Sequence, residues 1–425
     1  MSKNNLIQLY DSSAKVKQIG DSLQLHGQKI HLNGLIGSSL SFVVQSLFKK
    51  SEFPFLVVLN DKEEAAYYLN DLEQMVGEED VLFYPGSYRR PYQIEDTDNA
   101  NVLLRAEVLN RINSRKKPAV VVTYPEALFE KVVTKKELDK NTLKVAVGDQ
   151  ISIEFINEVL FEYEFKRVDF ITEPGEFSVR GGIIDVFSFS NDNPYRIEFF
   201  GNEVDSIRSF DVETQLSIEK QKKIAIIPNV ENKFFQENRE SFLDYIHQNT
   251  IVFIQNTELL ISKLEKLFDK ADDIFKNLNA TIKHVPPEKI FLHQKEFLKK
   301  ALDFTVVELS SKPTFNIAKA FDFHIQPQPS FNKQFDLLLN NLNDNHFNGY
   351  KNYLFCSSGA QEKRFHDIFE SLDEANHESI RKQYHTVVFP LYQGFIDEEN
   401  QIACYTDHQI FERYHKFSIK NGYSK

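Results

Sequence analysis

A segment near the start of the chain has the outline of a phosphate-binding loop but lacks its key cation. In the pattern G-x-x-x-x-G-K-[ST], the lysine reaches the β- and γ-phosphates and the last hydroxyl binds Mg²⁺. Gly34 and Ser41 fit the spacing of such a loop, with Gly37 between them, but Ser39 stands at the second glycine and Leu40 at the lysine. The sequence has no apolar strand ending in Asp-Glu to hold the metal. We therefore expect a strand-to-helix turn that binds neither ATP nor Mg²⁺.

The other residue types that carry catalysis or bind metals do not group by spacing. The 12 histidines show no metal-ligand pattern. Asp407, His408 and His415 are close in sequence, but on a polar segment such groups are usually solvated. Cys356 and Cys404 each fall within an apolar run typical of a buried strand. We predict no catalytic set and no metal site, and so few cysteines fit a reducing cytoplasm.

A short segment interleaves basic and aromatic side chains: Tyr84, Tyr88, Arg89, Arg90 and Tyr92. This mixture is a weak signal for nucleic-acid contact, and a loop that packs on its own domain is the alternative. The chain has 50 Lys and Arg against 62 Asp and Glu, for a net charge of −12. An acidic protein repels phosphate at long range, so we expect weak or indirect DNA binding and favour protein partners.

Two runs, residues 195–200 and 203–210, flank Gly201-Asn202, the signature of a two-residue β-hairpin turn. Side chains alternate between the two faces of a strand. One face of the first strand carries Tyr195, Ile197 and Phe199, and the other carries Arg196, Glu198 and Phe200. The first set predicts a core. The second set predicts either a solvated sheet face or a protein-binding surface, where arginine and aromatic residues are enriched.

Another arginine lies just before this hairpin. Residues 177–186 predict one strand, in which Gly181-Gly182 permits a bulge or a close backbone approach. Arg180, on this neighbouring strand, joins the face of Arg196 and Phe200. Asp185 either holds one of the two arginines in place or forms an ordinary surface ion pair. On this prediction Arg180, Arg196 and Phe200 can be truncated without much loss of folding stability.

Strands and helices alternate on both sides of this region, which predicts a parallel α/β sheet interrupted by a β-rich insertion. A Gln-Pro-Gln-Pro segment at 326–329 predicts a linker before a second, smaller α/β unit. The 425 residues are enough for about three domains. The predicted boundaries are 1–128 and 214–328 for the interrupted α/β domain, 129–213 for the insertion and 329–425 for the last domain. No apolar run of 18 residues predicts a membrane helix, and the polar start does not predict a secretory signal.

The segments 173–187 (EPGEFSVRGGIIDVF) and 194–211 (PYRIEFFGNEVDSIRSFD) are distinctive. They resemble the UvrA-binding domain that UvrB shares with the bacterial transcription-repair coupling factors, the Mfd family. The flanking α/β order is similar to the UvrB-homology module of that family. Residues 391–395 and 406–414 are similar to the domain that precedes its RNA-polymerase-binding module.

The resemblance implies a degenerate, UvrB-like P-loop NTPase fold without ATPase activity, and UvrA binding through Arg180, Arg196 and Phe200. It also implies an N-terminal part of a longer protein, with RNA polymerase binding and ATP- and Mg²⁺-dependent translocation carried by later domains. The alternatives are a UvrB-type ATP-dependent repair helicase subunit and a plain structural scaffold. Leu40 argues against the helicase, and so does the segment 85–98, which is too short for the DNA-wedging hairpin of UvrB-like proteins.

Overall fold

The computed structural model describes residues 3–87, 99–229, 238–278, 285–372 and 382–413. Within these ranges the chain forms an α/β domain, a β-rich domain inserted into it and a smaller α/β domain at the end. The predicted fold class is confirmed, and the elements are given below in chain order.

The first part of the α/β domain contains α1 (Lys3–Asp11), α2 (Ala14–Leu23), β1 (Lys29–Asn33), α3 (Ser39–Lys49), β2 (Phe55–Val58), α4 (Lys62–Val76), β3 (Val81–Phe83), α5 (Asn99–Ser114), β4 (Val120–Thr123), α6 (Pro125–Phe129), β5 (Val132–Val133) and α7 (Lys135–Lys140). The inserted domain contains β6 (Leu143–Ala146), α8 (Ile153–Glu162), β7 (Lys166–Arg167), β8 (Glu176–Arg180), β9 (Ile183–Val186), β10 (Tyr195–Phe200), β11 (Glu203–Phe210), β12 (Ser217–Gln221) and β13 (Lys223–Ile226).

The α/β domain resumes with β14 (Arg239–Glu240), α9 (Phe242–Tyr245), β15 (Ile251–Ile254), α10 (Thr257–Lys276), α11 (Pro287–Ile290), α12 (Gln294–Ala301), β16 (Thr305–Glu308) and β17 (Lys319–Asp322). The last domain contains β18 (Ile325–Pro327), α13 (Phe335–Phe347), β19 (Lys351–Cys356), α14 (Gly359–Leu372), β20 (Tyr384–Val388), β21 (Phe395–Asp397), β22 (Ile402–Thr406) and α15 (Asp407–Ile410).

The α/β domain is built on seven parallel strands in the order β17-β1-β16-β15-β2-β4-β3. The four strands β16, β15, β2 and β4 are buried along their whole length. Parallel strands covered on both faces read as continuous apolar runs, and such runs at 55–59, 119–123 and 251–254 predict β2, β4 and β15, whereas β16 was not predicted. Asp61 caps α4, because its side chain accepts a hydrogen bond from the Glu64 amide at 2.9 Å.

The inserted domain has a six-stranded sheet in the order β12-β11-β10-β9-β8-β7. One face of this sheet packs on α8 and on the two-stranded β13-β6 sheet, around a core that includes Phe177, Ile184, Ile197 and Ile207. The predicted hairpin is present, with Phe200 opposite Glu203 and Gly201 at a φ of 63°. The register shifts beside Glu198, which marks a bulge in the partner strand β11.

The glycine pair at 181–182 forms a turn, and the prediction of one strand over 177–186 was wrong. Arg180 pairs with Ile183 across this turn, so β8 and β9 are two antiparallel strands. Gly181 has a φ of 57°, a backbone conformation that residues other than glycine rarely adopt. Gly182 does allow a close approach, because a Cβ there would lie 3.2 Å from the carbonyl oxygen of Phe199.

Strand pairing moves the predicted domain boundaries. The predicted insertion, 129–213, begins too early because β5 pairs with β14 and Val132, Val133 and Leu138 belong to the α/β core. It also ends too early, because β12 pairs with β11 and β13 pairs with β6. The inserted domain therefore extends from β6 to β13. Two-residue strands such as β5 carry no readable alternation, which is why sequence patterns misplaced the edges.

The last domain has five strands in the order β18-β21-β22-β19-β20, of which β20, β19 and β22 are parallel. Because β18 pairs with β21, this domain begins slightly before the predicted boundary at 329. Its sheet shares one core with the α/β domain, where the rings of Phe42 and Phe395 lie 5.9 Å apart. The Tyr10 hydroxyl donates to Asp397 Oδ2 at 2.7 Å across the same boundary. The two α/β domains are therefore in tight contact.

Candidate functional site

The outer face of the inserted sheet carries a buried carboxylate that holds two arginines. Asp185 is 1% exposed and lies opposite Arg196 on the neighbouring strand. Its Oδ1 accepts from Arg196 Nε at 2.7 Å, and its Oδ2 accepts from Arg196 Nη2 at 2.8 Å. Arg180 Nη2 reaches the same Oδ2 at 2.5 Å. Asp185 thus holds both predicted binding arginines, and the alternative of an ordinary surface ion pair is set aside.

The two arginines differ in how much of each side chain is available. The Arg196 side chain is 16% exposed, and its guanidinium lies over the Phe210 ring at 4.4 Å from the centroid. It also donates to Gln215 Oε1 at 3.3 Å. The Arg180 side chain is 45% exposed. Arg180 therefore presents charge to solvent, whereas Arg196 is mainly a member of the domain's own packing.

This burial contradicts the expectation that Arg196 can be truncated without cost to folding. Its removal leaves Phe210 uncovered and takes two hydrogen bonds from a buried carboxylate. The pairing with Asp185 also holds the pKa of Arg196 above its ordinary value. Sequence alternation placed Arg196 on the correct face but could not reveal the ring beneath it, which comes from the far end of β11.

Phe200 is the most exposed member of the predicted surface, at 83% of its area. It ends β10 directly before the hairpin turn, opposite Glu203 of β11 and beyond Glu198, where the pairing of β10 with β9 ends. Phe170, which the sequence analysis did not single out, is 65% exposed and lies under the Arg180 guanidinium at 5.3 Å from the ring centroid. No pattern pointed to Phe170 because it lies in the irregular segment before β8. We call Phe170, Arg180, Asp185, Arg196 and Phe200 the clamp surface.

The clamp surface is partly rigid and partly open. The segment that carries Phe170 is anchored by Glu176, whose Oε2 accepts from the Thr172 amide at 2.8 Å and from its hydroxyl at 2.9 Å. These bonds hold the pKa of Glu176 below its ordinary value, although burial opposes them. Between Arg196 and Phe200, Glu198 accepts from Arg208 Nη2 and from the Ser206 hydroxyl, each at 2.6 Å. Arg196 and Phe200 therefore share a face but have an occupied ion pair between them.

The loop at residues 34–38 does connect a strand to a helix, and two of its backbone amides, those of Ile36 and Ser38, have partners within the protein. The Ser38 amide donates to the carbonyl of Gln393 at 3.1 Å. The Ile36 amide donates to Ser39 Oγ at 3.0 Å. Ser39, Leu40 and Ser41 are all buried on α3. Such amides are the groups that cradle phosphate in a working loop.

Both glycines of this loop accommodate other parts of the chain. A Cβ on Gly34 would lie 2.1 Å from the carbonyl oxygen of Phe323, and one on Gly37 would lie 3.1 Å from Gln393 Cβ. The two residues have φ of 84° and 56°. Their glycine character serves close packing against Phe323, which follows β17, and against the last domain. The glycines alone therefore do not indicate a phosphate site.

A buried aspartate of α4, which sequence analysis missed, contacts the start of α3. Asp71 Oδ2 accepts from the hydroxyls of Ser38 at 2.6 Å and Ser41 at 3.2 Å. Its Oδ1 accepts from the Tyr392 amide at 2.9 Å. Burial raises the pKa of Asp71 to about 7, and these hydrogen bonds oppose that rise. The available signal was its position three residues after Tyr68 on the buried face of α4, where a carboxylate needs partners.

Within the described part of the chain, the residues expected of a nucleotide site are not assembled around this loop. The lysine position holds Leu40, which is 4% exposed. Strand β15, two places from β1 in the sheet, leads into Gln255 and Asn256. Gln255 Oε1 accepts from the Asn60 amide, and Asn256 caps α10. Glu308, at the end of β16 between them, accepts from Thr257 and from the Thr314 and Phe315 amides. The donor set does not fit ATP with Mg²⁺.

Two other predicted features were weaker. Tyr84 is buried and stacks on Phe242 at 4.1 Å, whereas Tyr88, Arg89, Arg90 and Tyr92 lie outside the described residues. Asp407 accepts from the Ser357 amide and hydroxyl, and His415 is also outside the described residues. Across the described ranges, no cluster of three or more His, Cys, Asp or Glu could hold a metal ion. The two cysteines are free and buried, as predicted.

Comparison with known proteins places the clamp surface in a recognised domain type. Residues 143–232 match the family model described as the UvrB interaction domain. This range agrees closely with the inserted domain as strand pairing defines it, from β6 to β13. The predicted resemblance is confirmed. In the described ranges, no helix has the length and apolarity needed to cross a membrane.

The chain is also similar to curated proteins called transcription-repair-coupling factor. It is 33% identical to the one from Bacillus subtilis (strain 168) over 198 residues, which are 46% of this chain and 17% of the relative. It is 29% identical to the one from Myxococcus xanthus over 228 residues, 52% of this chain and 19% of that protein. The matched regions therefore span less than a fifth of these relatives. A solved DEAD box protein from Methanococcus jannaschii overlaps 89% of this chain and 73% of its own at 7% identity, but its TM-score of 0.29 supports no conclusion.

Proposed function

We propose that the inserted domain docks UvrA and that the chain acts in transcription-coupled DNA repair. The observation that carries this proposal is an exposed Phe200 and a solvent-facing Arg180 within the range that matches the UvrB interaction domain. The printed name of the relatives, transcription-repair-coupling factor, supports the same role.

The clamp surface suits a partner that offers a carboxylate beside an apolar contact. Arg180 keeps part of its guanidinium free, and a carboxylate from UvrA would make charge-assisted hydrogen bonds with it. Asp185 and the Phe170 ring hold that guanidinium in one position. Binding therefore loses less side-chain entropy than a free arginine would lose. Phe200 adds a ring that gains burial only on binding, which is typical of a hot spot.

We further propose that this recruitment serves RNA polymerase stalled at damage. On this proposal, contact with RNA polymerase and ATP- and Mg²⁺-dependent translocation belong to domains outside this sequence, and the chain has no ATPase of its own. The neutral Leu40 and the occupied loop amides support this division. The alternative, a UvrB-type ATP-dependent helicase subunit, requires nucleotide binding at the loop that these residues disfavour. A cytoplasmic location follows from the same proposal.

The test is binding of the purified chain to purified UvrA by calorimetry, with the double variant Arg180→Ala/Phe200→Ala beside it. Leu302→Ala is the matched control, because Leu302 is an exposed apolar residue at 59% on the α/β domain. We expect saturable binding by the wild type and the control, and a loss of at least about tenfold for the double variant. Equal binding by all three proteins would place the docking site elsewhere. No binding by any would favour the scaffold alternative.

A further inference from the structure

The loop that resembles a nucleotide site has an occupant within the chain itself. We propose that residues 34–41 form an interdomain socket, with Asp71 and the segment 391–394 as its built-in ligand. In this arrangement the last domain is fixed to the α/β domain by the contacts that a nucleotide would otherwise make. The inference is independent of UvrA binding and rests on the geometry of this one site.

The first feature of the socket is the place that an anion would take at the start of α3. A helix N-terminus attracts negative charge, and a P-loop uses this property to hold phosphate. Here Asp71, supplied by α4, contacts the Ser38 and Ser41 hydroxyls at the start of the 11-residue helix α3. The carboxyl group of Asp71 is fully enclosed, so an external anion has no position to take at these two hydroxyls.

The backbone of the last domain supplies the second feature of the socket. Ser38 makes a reciprocal pair with Gln393: its amide donates to the Gln393 carbonyl at 3.1 Å, and its Oγ accepts from the Gln393 amide at 3.0 Å. Asp71 takes the next amide, that of Tyr392, at 2.9 Å. Consecutive peptide groups of one segment are therefore bound by the loop and by α4. This pattern is specific recognition of a backbone segment.

Aromatic stacking completes the socket. The Tyr392 ring lies parallel to the Tyr67 ring, with centroids 4.2 Å apart and an interplanar angle of 7°. Tyr68 meets the same ring edge-on at 5.6 Å and donates its hydroxyl to the Gly37 carbonyl at 2.9 Å. Gly37 leaves room for Gln393, whose Cβ would be 3.1 Å from a Cβ at that position. The tyrosine pair on α4, the loop glycine and the incoming segment thus form one interlocked contact.

The arrangement has a mechanical consequence. In a nucleotide-gated pair of domains, ligand arrival and release change the contact between them. A covalently supplied ligand has a high effective concentration and does not leave the protein. The α/β domain and the last domain therefore stay closed at this joint whether or not ATP is present.

Hydrogen exchange in the full chain tests the socket, because it reports local opening. The variants are Ser38→Ala, which removes the hydroxyl shared by Gln393 and Asp71, and Tyr392→Ala, which removes the stacked ring. Tyr392→Phe is the control that keeps the ring. Ser46→Ala is the control on the same helix, because the Ser46 hydroxyl bonds Asp11 within the α/β domain at 2.8 Å. Wild-type protein is measured with and without millimolar Mg-ATP.

We expect both variants to raise exchange about tenfold or more in residues 34–41 and in 391–394 together, with β2 and β15 still protected as evidence of folding. Both controls should match the wild type, and Mg-ATP should change nothing at the loop. Faster exchange in only one of the two segments would contradict the socket, as would unchanged exchange in both. Added protection of residues 34–41 by Mg-ATP would also overturn it, because the loop would then accept an external nucleotide.

Discussion

Asp185 and Arg196 lie directly opposite each other on adjacent antiparallel strands, and the buried carboxylate takes two hydrogen bonds from one guanidinium. The same carboxylate also holds Arg180. A single buried acid therefore orders the basic part of the proposed UvrA-docking surface. It leaves Arg180 partly exposed and holds Arg196 within the packing of the domain.

Arg196→Ala should destabilise the inserted domain, whereas Arg180→Ala should not. Removing Arg196 leaves Asp185 with one remaining partner and exposes the Phe210 ring, at an expected cost of about 1–3 kcal/mol in the free energy of unfolding. Arg180 is half-exposed and its loss leaves Arg196 in place. Hydrogen exchange in β8 to β11, measured as urea is raised, gives the free energy of unfolding of each variant. Equal stabilities of the two variants would contradict the assigned roles.

Phe200→Ala should weaken UvrA binding by about 1–3 kcal/mol, or roughly ten- to a hundredfold, without lowering the melting temperature. The ring is 83% exposed and contributes little to the core. Ile197→Ala is the comparison on the opposite face of the same strand. Ile197 is fully buried, so its truncation should cost about 2–5 kcal/mol of stability. If Phe200→Ala melts early and its binding loss follows that melting, Phe200 is structural.

Leu40→Lys should not create an ATP site. Leu40 is buried, the Ser38 amide and hydroxyl already have partners in the last domain, and the Ile36 amide bonds Ser39 Oγ. The substitution would also remove a buried apolar side chain and place a charged group in its position, which costs free energy. Isothermal titration with Mg-ATP should give no saturable signal at sub-millimolar nucleotide for wild type or variant. Turnover above the buffer blank in either protein would revive the helicase alternative.

The socket should respond to pH through Asp71, whose pKa in the fold is about 7 against an ordinary 3.8. A carboxyl group with a raised pKa stabilises the fold fully below its unfolded pKa, and this contribution is lost as pH rises through the folded value. The stability of wild type relative to Asp71→Asn should therefore fall between about pH 4 and pH 7, by roughly 4 kcal/mol, and stay level above pH 7. Parallel urea titrations of both proteins check this. A difference that is flat or rises over this range would contradict it.

Duplex DNA should bind weakly to the chain, above the micromolar range at physiological salt. The net charge of −12 repels phosphate at long range. A mobility-shift titration measures this. If a tight, salt-sensitive complex forms instead, Arg89→Ala with Arg90→Ala tests the remaining basic segment, and loss of that complex would assign it there.

Local sequence patterns determined much of this protein. Continuous apolar runs at 55–59, 81–84, 119–123 and 251–254 predicted four of the seven strands of the parallel sheet, since strands covered on both faces tolerate few polar residues. Gly201-Asn202 fixed the hairpin register, and alternation then placed Arg196 and Phe200 on the face opposite Ile197. The phosphate-loop motif also spans only a few residues, so the replacement of its lysine by Leu40 could be read from the sequence.

Tertiary structure decided how those residues are used, because the deciding partners are distant in sequence. Asp71 lies 321 residues from the Tyr392 amide that it binds, and no spacing rule links the two. Phe210 and Asp185 make Arg196 a packing residue, although its alternation matches that of the exposed Phe200. Two-residue strands such as β5 have too few side chains for a pattern, so only their hydrogen-bonded partners set the domain boundary. Burial is a property of the assembled domains, and it separates a binding surface from an internal contact.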